Sequence, residues 1–264
     1  MRGFFNKIFI RPDVRNLDID SREAISIHRR IIKKSPLLTE HYNFIYRYFK
    51  KIEDSLEYLN FPSLEIGSGG GFLKEFLPNV ITSDIVESEG IDRVEDVTCL
   101  SFPDNSLKAI YANGVLHHIE DPGKCLEEIQ RVLVSDGIFV CNEPSSSSFG
   151  YFMNKNFHNE YTNKLLKRWK IEDKTIEGRL TKVNMALPYI IFKRDAYIFT
   201  QRFKRLKIIS FIYHDFLRYT LSGGLTYKPF VPHFLYGVVN FIEFIFRPLM
   251  QLFGNNMIVT IKKI

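Results

Sequence analysis

The chain has 264 residues, 45% hydrophobic and 25% charged, which suits one globular α/β domain with insertions. Its net charge of +6 fits an anionic acceptor, a nucleic acid or an anionic membrane surface without choosing among them. The three cysteines, Cys99, Cys125 and Cys141, have no C-x-x-C spacing, which argues against a disulfide framework and against a zinc site.

Residues 1–10 mix basic and apolar side chains, but the apolar stretch is short and no small-residue cleavage site follows, so a secretory signal is not expected. Residues 1–60 read as a helical N-terminal cap. Within it, 21–34 opens on a capping Ser21 and spaces its isoleucines partly as a helix does, and 41–59 is a second helical stretch rich in Tyr and Phe. From residue 61 the pattern changes. A strand at 63–66 runs into glycines, 72–76 opens a helix, and 80–85 is a second strand. A strand at 109–113, a helix at 122–134 and a strand at 137–142 follow. Such alternation predicts βαβ units and a parallel sheet. The pattern weakens over 145–205, read as an insertion that forms an acceptor wall. Strands at 206–213 and 257–262 flank an aromatic helical segment, 230–253. Pro232, Glu243, Arg247 and Pro248 interrupt that segment, so it falls short of a membrane span. Core is its first reading, with an acceptor tunnel or a membrane-facing surface as the second.

The strongest chemical signal is Leu64-Glu65-Ile66-Gly67-Ser68-Gly69-Gly70-Gly71. Glycines at a strand-to-helix turn let the backbone approach a ligand closely. The helix expected next offers free N–H groups and positive dipole character. Asp84, ending the second strand, is placed to accept hydrogen bonds from ribose hydroxyls. The dinucleotide fingerprint G-x-G-x-x-G fails in both registers, because its third glycine falls on Phe72 or Lys74.

What remains, Glu65-x-Gly67-x-Gly69-x-Gly71, resembles motif I of class I methyltransferases. Further segments, in the same order, resemble the type 11 group. They are Glu95-Asp96-Val97, Leu100 to Ser106, residues 110–119 with Asp121-Pro122, and 126–134 with Gly137. Lys108 and Ser135-Asp136 depart from that group's pattern. Leu116-His117-His118, Glu143-Pro144, Phe157-His158-Asn159-Glu160 and Leu221-Ser222-Gly223-Gly224 look like one bacterial branch, whose acceptors the resemblance does not supply. The core match covers residues 63–143.

The resemblance implies a Rossmann-like, doubly wound, mostly parallel seven-stranded sheet with its last strand inserted antiparallel. Residues 61–264 then form the methyltransferase domain. The resemblance also implies S-adenosyl-L-methionine as cofactor, held by Glu65, Gly67, Ser68, Gly69, Gly71, Asp84, Asp96, Val97 and Asn113, with Asp96 at the adenine amino group. Glu65 either contacts the cofactor or anchors the glycine loop.

Four residues are candidates for catalysis. His117 and His118 cannot both face one site along an extended chain, and family position favours His118. His158 and Glu160 share a face when extended and make a base with its orienting acid. Glu143 ends a strand edge facing the acceptor. Without H-x-H or H-x-x-x-H spacing, no metal is expected. The reaction expected is in-line displacement of the sulfonium methyl by a small-molecule, glycan or lipid acceptor. With no dense basic stripe, a nucleic-acid acceptor is not expected. A cytoplasmic protein is expected, with peripheral contact at the inner face of a membrane through the aromatic segment. The oligomeric state is not legible. Two other readings stay open. One is a catalytically silent cofactor-binding partner protein. The other is a nicotinamide-dependent reductase, against which Phe72 speaks.

Overall fold

The structure, a computed structural model, describes residues 9–18, 21–157, 160–170 and 183–264. Helix α1 (Arg22–Lys34) starts where the Ser21 hydroxyl accepts from the Ala24 N–H at 3.2 Å, and it ends in two lysines that suit the negative end of its dipole. Helix α2 (Pro36–Ser55) follows at once, with proline in its first turn, where a missing N–H costs nothing. It begins earlier than the aromatic pattern suggested, because Leu37 and Leu38 belong to its buried face.

Seven strands form one sheet: β1 (Ser63–Ile66), β2 (Ile81–Asp84), β3 (Arg93–Val94), β4 (Leu107–Asn113), β5 (Leu133–Pro144), β6 (Leu206–His214) and β7 (Asn256–Lys263). Their order is β3-β2-β1-β4-β5-β7-β6. Strands β1 to β5 pair in parallel, and β7 inserts antiparallel between β5 and β6. Both faces are covered, so successive residues feed opposite cores. Leu64, Ile66, Ile110 and Ala112 face one layer with Cys125, Leu126 and Ile129 of helix α3 (Pro122–Val132). Ala109 and Tyr111 face the other with Ile45, Tyr46 and Phe49 of α2.

Three expectations need correction. First, the helix expected at 72–76 is only a 3-10 turn, Leu73–Glu75. Pro78 disfavours helical backbone at Leu77, and Phe72, Leu73 and Leu77 are drawn into the core with α1 and α2. The glycine loop is therefore followed by no long helix dipole. Second, 187–203 is core. The helical stretch Leu187–Tyr189, a π turn Ile190–Arg194 and helix α5 (Ala196–Arg202) drive Ile190, Ile191, Phe192, Phe199 and Phe203 into the layer that holds α3. The part of 145–205 that reaches the cleft includes helix α4 (Ser148–Phe157), through Met153 and Asn154. Third, the aromatic segment is largely surface. Helix α6 (Arg218–Ser222) precedes it, and in helix α7 (Tyr236–Ile245) the buried residues are Val239 and Glu243. No helix among the described residues is long and apolar enough to cross a membrane.

Candidate functional site

A cleft of about 1310 Å³ opens at the carboxyl ends of β1, β2, β4 and β5, where open α/β sheets bind ligands. Ile25, His28 and Ile32 of α1 and His41, Tyr42 and Tyr46 of α2 line it, and parts of 219–230 continue that wall, with the Tyr219 ring 4.9 Å from that of His41.

Residues 67–71 form the floor of one half. Gly69 has φ of +47°, and a Cβ there would meet only the Gly67 carbonyl, at 3.9 Å, so the loop presents bare backbone to open space. Gly70 answers a different need. A Cβ there would lie 2.7 Å from the Arg29 nitrogen, so α1 rests directly on the loop. Arg29 secures that contact by donating to the Gly71 carbonyl at 2.9 Å. Asp84 accepts from the Gly69 N–H at 2.8 Å and from the Val86 N–H at 3.1 Å, which ties β2 to the loop. Asp96, exposed on the cleft, accepts from the Thr98 N–H at 2.8 Å. Val97, Ser68 and Asn113 also line the cleft. Glu65 lies buried behind the loop. Burial pushes its carboxyl up to about 8, while the neighbouring Ser68 and the cations of Arg29 and Lys74 pull the other way.

The other half is built from side-chain pairs. Glu143, fully buried at the end of β5, accepts from the Val115 and Leu116 N–H groups at 3.0 and 2.7 Å with one oxygen. Its other oxygen lies 2.6 Å from His117 Nδ1. The Nε2 of His117 lies 3.7 Å from Glu160, and both residues line the cleft. Burial depresses the His117 pKa, but the Glu143 carboxylate, with Glu160 behind it, more than offsets this, and the imidazole stands above its ordinary value. His118 follows in the same 3-10 turn, Leu116–His118, its ring centroid 4.2 Å from that of His117.

A second buried pair, His41 Nδ1 with Asp215 Oδ2, stands against the cleft. Asp215 has a positive φ of 60°, and burial alone would raise its carboxyl, yet His41 holds it well below the usual carboxylate range. His214 donates from Nε2 to Asn142 at 2.7 Å, and Asn142 donates to Asn113 at 2.8 Å, so a polar chain runs along the cleft wall. Burial brings the His214 pKa down to about 3. Two trios, His117 with His118 and Glu160, and His41 with His214 and Asp215, each bring ligand-type atoms within 4.8 Å of one another. The fold makes both groupings, and neither has a chelating spacing in the sequence.

Of the candidates named from the sequence, Gly67, Ser68, Gly69, Gly71, Asp84, Asp96, Val97, Asn113, His118, Glu143 and Glu160 reach the cleft. Glu65 sits behind it. His158 lies outside the described residues. Sequence reasoning took one histidine of 117–118 as structural and preferred His118, whereas Glu143 pairs with His117. It also missed His28, His41, Tyr42 and the Asp215 behind His41. These residues join the site only when α1, α2 and β6 come together, and no local pattern announces them.

Residues 64–141 match the type 11 family described as "Methyltransferase domain". An uncharacterized chloroplastic methyltransferase of Arabidopsis thaliana is 40% identical over 67 residues, covering 25% of this chain and 19% of that protein. The mitochondrial arginine-hydroxylase NDUFAF5 of Rattus norvegicus is 31% identical over 97 residues, covering 31% of this chain and 28% of that protein. The matches thus span less than a third of either relative. A SAM-dependent methyltransferase of Thermotoga maritima, 14% identical, superposes with a TM-score of 0.50 over 90% of this chain and 99% of that one, which shows a shared fold. Strand order, the glycine loop at the end of β1 and the family match agree: the chain carries a type 11 methyltransferase domain, of the S-adenosylmethionine-dependent class, on the class I α/β fold.

Proposed function

We propose that this chain transfers the methyl group of S-adenosylmethionine to a hydroxyl or amine of a small-molecule, glycan or lipid acceptor, with His117 as the base. The observation that carries this reading is the His117–Glu143 pair, standing in the same cleft as the bare glycine loop.

The cleft suits the cofactor. The open space over Gly69 would be filled by any Cβ, which fits a ligand lying on the backbone there. Asp84 keeps lone pairs for ribose hydroxyls beyond its two backbone bonds, and Asp96 with Val97 would meet the adenine. Glu65, behind the loop, is read as its anchor. Residues 1–60 would close this half as a helical cap, and the 145–170 part of the insertion would form the acceptor wall. The cofactor's sulfonium supplies an already activated methyl group. The protein's task is alignment plus removal of one proton. Glu143 accepts from Nδ1–H of His117 and so fixes the tautomer that leaves a lone pair on Nε2. When bound, the cofactor would give its methyl group to the acceptor oxygen or nitrogen, and the carbon–sulfur electron pair would stay with sulfur. The acceptor proton passes to His117 Nε2. His118 and Glu160 flank that nitrogen and would position the acceptor. His158, two residues before Glu160, remains a second candidate base from the sequence.

The test is calorimetric binding of S-adenosylhomocysteine and of NADH, followed by transfer of labelled methyl to a panel of hydroxyl and amine acceptors. Homocysteine-cofactor binding with His117-dependent transfer is the expected result. Binding without transfer to any acceptor would favour a silent partner protein. Binding of NADH instead would favour a reductase.

A further inference from the structure

Between Phe230 and Phe253 the chain carries one acidic residue, Glu243, and it is turned inward. Its carboxylate accepts from the Phe216 and Arg218 N–H groups at 3.2 and 2.8 Å, and so caps the start of α6. The outer side of the segment is left without an acid. It presents Phe234, Val238, Phe241, Phe244, Ile245, Leu249 and Leu252, each between 47% and 79% exposed. Val238, Phe241 and Ile245 follow helical spacing along α7, so they form one stripe. Arg247 stands among them, with its guanidinium 5.6 Å from the Phe244 ring, and Lys228, two residues before the segment begins, is exposed. An apolar area of this extent is unusual on a protein meant to face only water.

We propose that this face lies on an anionic lipid bilayer and brings the mouth of the cleft to the membrane surface. Charge favours a bilayer over a protein partner as the occupant. The face combines inserted aromatics with cations and no outward acid, on a chain of net charge +6. Pro232 and Pro248 confine α7 between them, so it rests in the interface and does not span it. Two links join the face to the cleft. Phe230 is exposed and also lines the cleft. In α4, exposed Phe152 sits beside Met153, which lines the cleft, and the ring of Phe149 lies 6.4 Å from that of Phe253. An amphiphile with its tail in the bilayer would thus offer its polar head to the cleft. This acceptor class rests on the methyl-transfer reading, whereas the membrane contact does not.

The experiment is flotation of the full chain with phosphatidylcholine vesicles, with and without phosphatidylglycerol, at low and high salt. The wild type should float with the anionic vesicles and less with neutral ones or in high salt. The double variant Phe241→Ser/Phe244→Ser should bind roughly a hundredfold more weakly, since two aromatic side chains no longer leave water. Arg247→Glu should bind about tenfold more weakly. Both variants should keep the wild-type melting temperature and S-adenosylhomocysteine affinity. No flotation of the wild type, or equal flotation of the double variant, would overturn the proposal. So would a wild-type dimer in light scattering that the double variant makes monomeric while neither binds vesicles. Flotation without S-adenosylhomocysteine binding would sustain the membrane contact and remove the methyl-transfer reading.

Discussion

The half of the cleft assigned to the cofactor and the half assigned to the acceptor are made in different ways. In the first, the backbone of residues 67–71 is the surface, and Asp84 and Arg29 tie it in place through main-chain atoms. In the second, side chains pair across the fold. Glu143 and His117 are 26 residues apart, Asn142 and His214 are 72, and His41 and Asp215 are 174. A surface of bare backbone fails when something is added to it. A surface of paired side chains fails when a proton acceptor is lost. Substitutions should therefore divide by half: added bulk ends binding in the first, and lost charge ends turnover in the second.

The largest effect is expected at Gly69. An arginine there would carry a side chain at positive φ, at a cost of about 1–2 kcal/mol, and its Cβ would point into the space over the loop. Gly69→Arg should lose S-adenosylhomocysteine binding altogether, by at least about four orders of magnitude, equivalent to roughly 5.5 kcal/mol. The fold should survive, because the new side chain meets open space and not the core. Calorimetry and a melting curve on the same sample check both parts. Retained binding would mean that the ligand does not lie on this loop.

The next effect belongs to the acceptor half. Glu143→Gln keeps an oxygen for the Val115 and Leu116 N–H groups but turns an amide donor toward His117 Nδ1. The imidazole must then flip its tautomer and point Nε2–H at the acceptor. Transfer should fall by on the order of 10²–10⁴-fold, as should His117→Asn, with S-adenosylhomocysteine affinity unchanged in both. In the wild type, the rate should rise with pH as His117 loses its proton, with a midpoint above the ordinary imidazole value because Glu143 holds the cation. A flat profile across that range, or a fully active Glu143→Gln, would take the base role away from His117.

The same division explains what the sequence could tell. Glu65 to Gly71 and Asp84 lie in strand-turn-strand order along the chain, so residue spacing alone pointed to that half. The helix expected after the loop does not form, because Pro78 locally restricts Leu77 and because the pull of Phe72 and Leu77 toward α2 acts through tertiary packing. Strand β3 escaped notice because it is two exposed residues long. Gly70 was counted as one more loop glycine, although α1 lying on it is what excludes a side chain. In the acceptor half, the choice of His117 over His118 depends on where a carboxylate 26 residues away ends its strand. Alternation rules assume an extended chain, but residues 116–118 form a 3-10 turn. The aromatic segment read as core because its composition is that of a core. The inward turn of Glu243 and the exposure of Phe241 and Phe244 reveal which side faces out.

The smallest effect expected is on stability, at the boundary between the halves. The folded chain keeps the Glu65 proton up to about pH 8, whereas the unfolded chain releases it near the ordinary value of 4.5. Between these values the folded state binds more protons, so stability falls as pH rises through the window. Glu65→Gln removes that dependence. Urea denaturation of the protein without cofactor should find the variant and wild type equally stable near about pH 4.5, and the variant more stable by a few kcal/mol above about pH 8. A cationic ligand beside the loop would favour the ionised carboxyl, so S-adenosylmethionine binding near neutral pH should expel a proton from the wild type and none from the variant. Calorimetry in two buffers of different ionisation enthalpy measures that proton. If both proteins release the same number, Glu65 anchors the loop without sensing the ligand's charge, and the division between backbone and charged side chains runs unbroken through the cleft.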